Sequence, residues 1–181
     1  MTKRFFDIVF SFMIFILISW ILILAILVAS IETKSFGIFL QDRIGQHGKS
    51  FKIFKIKTMN DVSKKSSFFG KFLRKSKIDE LPQLLNILLG QMSFVGPRPD
   101  IAGYYDKLEG ENRKILELKP GLTSLASIKY SNEEELLNKQ SNPLEFNDKV
   151  IFPDKVKMNL EYYYNQSFLL DLQIIVKTIF R

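Results

Sequence analysis

Ile8 to Ile31 is 24 consecutive residues without a charge, led by Lys3 and Arg4. As a helix rising about 1.5 Å per residue, such a run reaches about 36 Å, enough to cross a hydrocarbon core of about 30 Å. It is too long for the apolar core of a signal peptide, and no small-residue cleavage site follows it. The plain reading is a single transmembrane helix. A chain of 181 residues leaves room for one further domain beside that helix, without a second full core.

Composition narrows the chemistry. Lys and Arg number 26 against 19 Asp and Glu, a net charge of +7. Such an excess suits anionic lipid, nucleotide phosphates or nucleic acid and does not choose among them. The absence of cysteine excludes disulfides and thiolate metal sites. The single histidine, His47, lies in a Gly-rich turn and reads as a solvated turn residue, which sets aside histidine-based acid–base chemistry and His-rich zinc sites. Gly48-Lys49-Ser50 resembles the end of a P-loop, but the first glycine of that motif would fall on Arg43.

The chemistry concentrates in Ser76-Lys77-Ile78-Asp79-Glu80-Leu81-Pro82-Gln83-Leu84-Leu85-Asn86, with Gly96-Pro97-Arg98-Pro99 a short loop away. Leu81, Leu84, Leu85 and Leu88 recur at helical spacing and predict one apolar helical face ending near Gly90. An interior proline costs about 3 kcal/mol, whereas in the first turn its missing N–H is harmless. Pro82 therefore places Asp79 or Glu80 at, or just before, the first helical residue. Ser76 with Asp79 forms a rival capping box that would bury Pro82 deeper in the helix. Either carboxylate alone reads as an ordinary cap on a helix N-terminus. With Lys57, Arg74, Lys75, Lys77 and Arg98 close in sequence, the pair also fits a site for Mg²⁺ and phosphate.

These residues carry a resemblance. Lys55-Ile56-Lys57-Thr58-Met59, Ile78 to Asn86, Met92-Ser93-Phe94-Val95-Gly96-Pro97-Arg98-Pro99 and Lys119-Pro120-Gly121-Leu122-Thr123 resemble the bacterial sugar transferases, also called small monotopic phosphoglycosyl transferases. The resemblance runs from Lys3-Arg4-Phe5-Phe6-Asp7 to Ser167-Phe168-Leu169-Leu170-Asp171-Leu172. It implies that a sugar-1-phosphate moves from a UDP-sugar to a polyprenol phosphate, releasing UMP, at the cytoplasmic face of a bacterial inner membrane. It further implies Asp79 as the nucleophile of a covalent phosphosugar intermediate and Glu80 as the Mg²⁺ ligand, with Asp61 a weaker candidate for the metal environment. Lys57 and Arg74 match basic positions near the phosphates; each is equally compatible with a lipid-headgroup contact.

Arg98, held between two prolines with Pro99 completing the motif, presents a planar fork suited to phosphate, or else an incidental surface turn. The resemblance turns the apolar run into a re-entrant hairpin broken at a Ser-Pro pair. Here Ser19 is followed by Trp20, so Ser19 alone must satisfy a break. Lys3, Arg4, Lys34 and Arg43 flank both ends, which favours both being cytoplasmic.

The expected architecture is mixed α/β. Residues 1–33 form the membrane-inserted helix, and 34–181 form a cytoplasmic-face catalytic domain of helices with a short β-hairpin and interfacial amphipathic helices. Phe36 to Gln41 and Phe51 to Lys57 predict the hairpin. Apolar residues at 51, 53, 54 and 56 break its alternation, which predicts a bulge or two-sided burial. Asp61 to Ser67 predicts a loop, and Phe68 to Lys77 a basic helix suited to anionic headgroups or to solvent. The region from Pro99 to Lys119 predicts helix, Ser131 to Ser141 a loop or short helix, and Pro153 to Tyr164 and Phe168 to Arg181 two further helices. Many relatives carry Gly-x-Thr-Gly-Trp-Ala-Gln where this chain has Gly121-Leu122-Thr123-Ser124-Leu125-Ala126-Ser127. It also carries Asn132-Glu133-Glu134-Glu135 and Pro153-Asp154-Lys155, which resemble a sub-branch; an altered sugar pocket follows if that loop shapes it. Expected partners are the UDP-sugar, polyprenol phosphate, membrane lipids and, as an open possibility, a second copy of the chain, with no role for nucleic acid. The competing class is a membrane-anchored polybasic module that binds anionic lipid or nucleic acid without catalysis.

Overall fold

The computed structural model describes residues 2–180. The chain forms two compact units. One comprises the residues up to Arg43 together with Ser50–Met92; the other comprises Ile44–Lys49 and the residues from Ser93 onward.

In the first unit, α1 (Thr2–Thr33) is helical throughout. By length and composition it is the one helix among the described residues able to cross a membrane. Apart from Leu22, its buried side is small or polar, with Asp7, Ser11, Ala25, Ala29 and Thr33 covered, while Phe12, Leu17, Trp20 and Ile31 are more than half exposed. Ser19 Oγ donates to the Ile16 carbonyl at 2.8 Å, and the helix continues through Trp20. Strand β1 (Ile38–Ile44) pairs with β2 (Ser50–Ile56) in a two-stranded sheet. Ile53 and Ile56 are both buried. An odd separation puts them on opposite faces of a strand, so the broken alternation reflects burial on both sides.

Helix α2 (Phe68–Lys75) is capped by Ser67, whose Oγ accepts from the Gly70 N–H at 2.9 Å. A Cβ on Gly70 would lie 2.4 Å from the Thr58 carbonyl oxygen, so glycine there lets α2 lie directly on the chain leaving β2. The predicted leucine-rich helix is two pieces. A 3-10 segment covers Ile78–Gln83 and α3 covers only Leu84–Leu88. Pro82 explains the division: the tight opening turn absorbs it, and α-helical geometry begins two residues later. Ser76 caps nothing at this start. Its hydroxyl donates back to the Phe72 carbonyl, ending α2, while Lys77 opens the 3-10 segment in a left-handed conformation (φ 59°). Leu22, Ala25, Ala29, Ile56 and Leu73 form the core of this unit, with Ile78 and Leu81 packed against it.

In the second unit, β3 (Ser93–Val95) and β4 (Gly121–Thr123) pair in parallel, with Ser93 opposite Gly121 and Val95 opposite Thr123. Between them, the predicted helix over 99–119 is instead two 3-10 segments, Tyr105–Lys107 and Gly110–Glu117, whose apolar residues are too sparse for a continuous α-helical face. Helices α4 (Leu125–Lys129), α5 (Glu133–Asn138) and α6 (Pro143–Phe146) lead through a π-helical turn (Asn147–Ile151) into α7 (Phe152–Asn165) and α8 (Phe168–Ile179). Ser124 and Ser167 cap α4 and α8. Ile44, Tyr105, Ile115, Leu116 and Val156 make the core. Tyr105 and Asn159 are hydrogen-bonded within it at 2.9 Å, and burial pushes the Tyr105 hydroxyl pKa well up.

Candidate active site

Asp79 and Glu80 lie in the opening turn of the 3-10 segment and are both buried, at 8% and 7% exposure. A buried carboxylate is costly unless something offsets its charge. For Glu80 the offset is Lys55 from β2, whose Nζ stands 3.1 Å from Oε1 with both side chains mostly covered. For Asp79 it is incomplete. Its Oδ1 is buried with no hydrogen-bond partner. Burial first, and then the Glu80 charge, push the Asp79 carboxyl above its ordinary range, while Lys55, Lys77 and Arg74 pull it down. Because the α-helix starts only at Leu84, the cations do the work expected of a helix dipole.

The other predicted residues fall into separate groups. Lys57 is mostly buried and pairs with exposed Asp61 at 2.5 Å, holding the Asp61 carboxyl below its usual range. Asp61 is thereby engaged by a cation and is not gathered with Glu80 into a ligand cluster: among the described residues no group of three His, Cys, Asp or Glu side chains is placed to hold a metal. Arg74, on exposed α2, reaches the Met59 sulfur at 3.8 Å and contributes its charge to Asp79. Lys55 was not singled out from the sequence. The signal was there, because Lys55 and Lys57 are two apart, and strand periodicity puts both on one face.

Arg98 and Pro99 belong to the second unit. The Gly-Pro-Arg-Pro and Pro-Gly-Leu-Thr motifs, more than twenty residues apart, are joined there by the β3–β4 ladder. Ser93 N–H donates to the Pro120 carbonyl at 2.9 Å, Gly96 N–H to Thr123 at 3.1 Å, and Gly121 N–H to Pro97 at 2.9 Å. A Cβ on Gly121 would come within 2.1 Å of the Gly96 nitrogen, so the backbones meet where only glycine fits. Pro97 and Pro99 are buried and Arg98 between them is exposed. The cavity against this motif, which Arg98 lines together with Ile44, Pro97, Pro99 and Tyr105, is only about 10 Å³. The sub-branch motifs also meet. Lys155 pairs with Glu133 at 2.6 Å, and Asp154 takes both Lys129 and the Tyr130 hydroxyl at 2.7 Å.

The profile of the family described as bacterial sugar transferase matches residues 1–181. The chain belongs to the bacterial sugar transferases. Among curated members of that family, it is 35% identical over 99% of its length to a UDP-glucose:undecaprenyl-phosphate glucose-1-phosphate transferase of Klebsiella pneumoniae. It is 33% identical over 98% of its length to the uncharacterized sugar transferase EpsL of Bacillus subtilis. With the exopolysaccharide production protein ExoY of Sinorhizobium fredii it shares 29% identity over 98%. The chain spans 39% of the Klebsiella sugar transferase but 85% of EpsL and 84% of ExoY.

The donor set suits Mg²⁺. This ion keeps most of its waters and takes one or two protein carboxylates plus substrate phosphates, so two adjacent acids suffice. The unpartnered Asp79 oxygen beside Glu80 matches that requirement.

Proposed function

We propose that this bacterial sugar transferase moves a sugar-1-phosphate from a UDP-sugar to a polyprenol phosphate through a covalent intermediate on Asp79. The observation that carries the reading is the buried, unpartnered Asp79 oxygen next to a Glu80 already paired with Lys55. In the first step an Asp79 carboxylate oxygen attacks the phosphorus that bears the sugar, and the bond from that phosphorus to the UMP oxygen breaks. UMP leaves. In the second step an oxygen of the polyprenol phosphate attacks the same phosphorus and the bond to Asp79 breaks, restoring the carboxylate. A carboxylate can attack a diphosphate only if their repulsion is offset. Lys55, Lys77 and Arg74 supply cationic charge around Asp79. Mg²⁺ held by Glu80, when bound, would neutralise the diphosphate and the leaving UMP.

The lipid acceptor requires a membrane, and α1 supplies the anchor. Its two ends bear on how it inserts. Arg4, near the first turn, donates to the Ile87 carbonyl at 2.6 Å and the Leu88 carbonyl at 3.0 Å, while Thr33 at the far end accepts at its carbonyl from Asn60 at 2.9 Å. A straight span of these residues would separate Arg4 from Thr33 by about 43 Å, across the membrane. Although α1 runs unbroken through Ser19, without the hairpin break expected there, contacts from both ends to the unit that carries Asp79 support insertion with both ends on one face, the cytoplasmic face of the inner membrane. Phe68 and Phe72 on α2, exposed among Lys71, Arg74 and Lys75, suit the headgroup layer.

The test is a single-substrate incubation. A UDP-sugar with Mg²⁺ and no lipid acceptor should release UMP and add a sugar phosphate to the protein, and Asp79→Asn should lower this by about three orders of magnitude or more. UMP released only when polyprenol phosphate is present would rule out the covalent route. Full activity of Asp79→Asn and Glu80→Gln in cells would instead favour a non-catalytic polybasic module.

A further inference from the structure

We propose that Asn86 is a positioning residue for the Lys55–Glu80 pair, its side-chain amide standing in for a neighbouring strand along the open edge of β2. The proposal rests on the reading of Asp79 and Glu80 as the reacting pair. The sheet has two strands, so β2 has one edge with no strand beside it. Backbone groups on such an edge need partners when covered. Here the partner is a side chain. Asn86 is fully buried; its Nδ2 donates to the Lys52 carbonyl at 2.7 Å, and its Oδ1 accepts from the Phe54 N–H at 3.1 Å. A carbonyl and an N–H two residues apart are the pair that an adjacent strand would engage.

The second Nδ2 hydrogen goes to Gln91 Oε1 at 2.8 Å, which fixes which way the amide faces. The Asn86 carbonyl accepts from the N–H groups of Gln91 and Met92, closing the turn after α3. One residue thereby ties α3, continuous with the segment carrying Asp79 and Glu80, to the strand positions just before Lys55. No other side chain of similar size offers both functions. Aspartate cannot donate, leucine can do neither, and glutamine is one methylene too long for the space. If the tie is lost, β2 is free to shift along the segment and Lys55 loses its registration with Glu80.

The test uses the full-length protein in lipid nanodiscs, with folded fraction measured for every variant. In Asn86→Ala, the Phe54 amide should exchange with deuterium at least about tenfold faster. UMP release per folded molecule should fall by about a hundredfold in kcat, with donor KM changed by less than about threefold. In a Lys55→Met background the Asn86→Ala change should cost little more, because the residue acts through Lys55. An unchanged Phe54 exchange rate, or losses that multiply in the double variant, would overturn the assignment. If Asn86→Ala yields no folded protein, Gln91→Leu at an exposed position removes only the brace on the amide. Its smaller kcat loss should vanish in the Lys55→Met background, and a loss that persists there undiminished would overturn the assignment equally. Failure of the underlying functional reading would show separately, as Asp79→Asn releasing UMP at the parent rate, and would leave the exchange measurement untouched.

Discussion

At the scale of single residues, the site turns on a carboxylate that the fold leaves incompletely satisfied. In the proposed reaction Asp79 must be ionised to attack, and burial beside Glu80 raises its pKa above the ordinary aspartate value of about 3.9. UMP release should therefore rise with pH along an acid limb lying above that value. Since Lys55 pulls the Asp79 pKa down, Lys55→Met should move the limb higher still; a limb that stays put or falls would contradict this arrangement. The same shift has a sign for stability. A carboxyl whose folded pKa is raised favours the fold while protonated, and that contribution is lost as pH climbs from the unfolded pKa through the folded one. At neutral pH, Asp79→Asn should melt at or above the parent temperature in a thermal scan. The motifs that hold Asp79, Glu80 and Arg98 stand out in the sequence because each is local. Lys55 and Asn86 went unnoticed as site residues because their roles come from a strand and a helix meeting 25 and 32 residues apart in sequence.

Among the elements, the long helix follows from its uncharged run, and the hairpin and the last two helices lie within a few residues of their predicted bounds. Four elements did not follow: the leucine-rich helix, the helix expected over 99–119, and the strands β3 and β4. The leucine-rich helix divides because Pro82 tolerates a tight turn better than an α-helix. The strands β3 and β4 are three residues each and fully local motifs, too short to show any period. What made them visible only in three dimensions is the contact of Gly96 with Gly121. Gly121→Ala should force the two backbones apart at a cost of about 3 kcal/mol, at the upper end of overpacking penalties. A loss of under about 1 kcal/mol in chemical denaturation would mean that the ladder can yield.

For the whole molecule, the contest is between lipid and protein as the surroundings of α1. Its exposed isoleucines, phenylalanines and leucines cannot be covered by the unit they project from, whereas its small and polar side is already covered. A unique cysteine at position 2 should be shielded from an impermeant thiol reagent applied to intact cells, and labelling there would establish a full span. The uncharged run announced the long helix at once. It could not announce that Arg4 reaches a helix more than eighty residues away, since no local pattern encodes such a bond.

The ladder between β3 and β4 clamps the two ends of everything that lies between Val95 and Gly121. Lengthening a loop whose ends are already pinned is cheap: growing this one from 25 to 35 residues would add only about 0.3 kcal/mol of closure entropy. In its first third, Gly103 faces open space with a positive φ. Evolution thus has a free port here, where foreign sequence can be spliced in while Arg98 stays where it is.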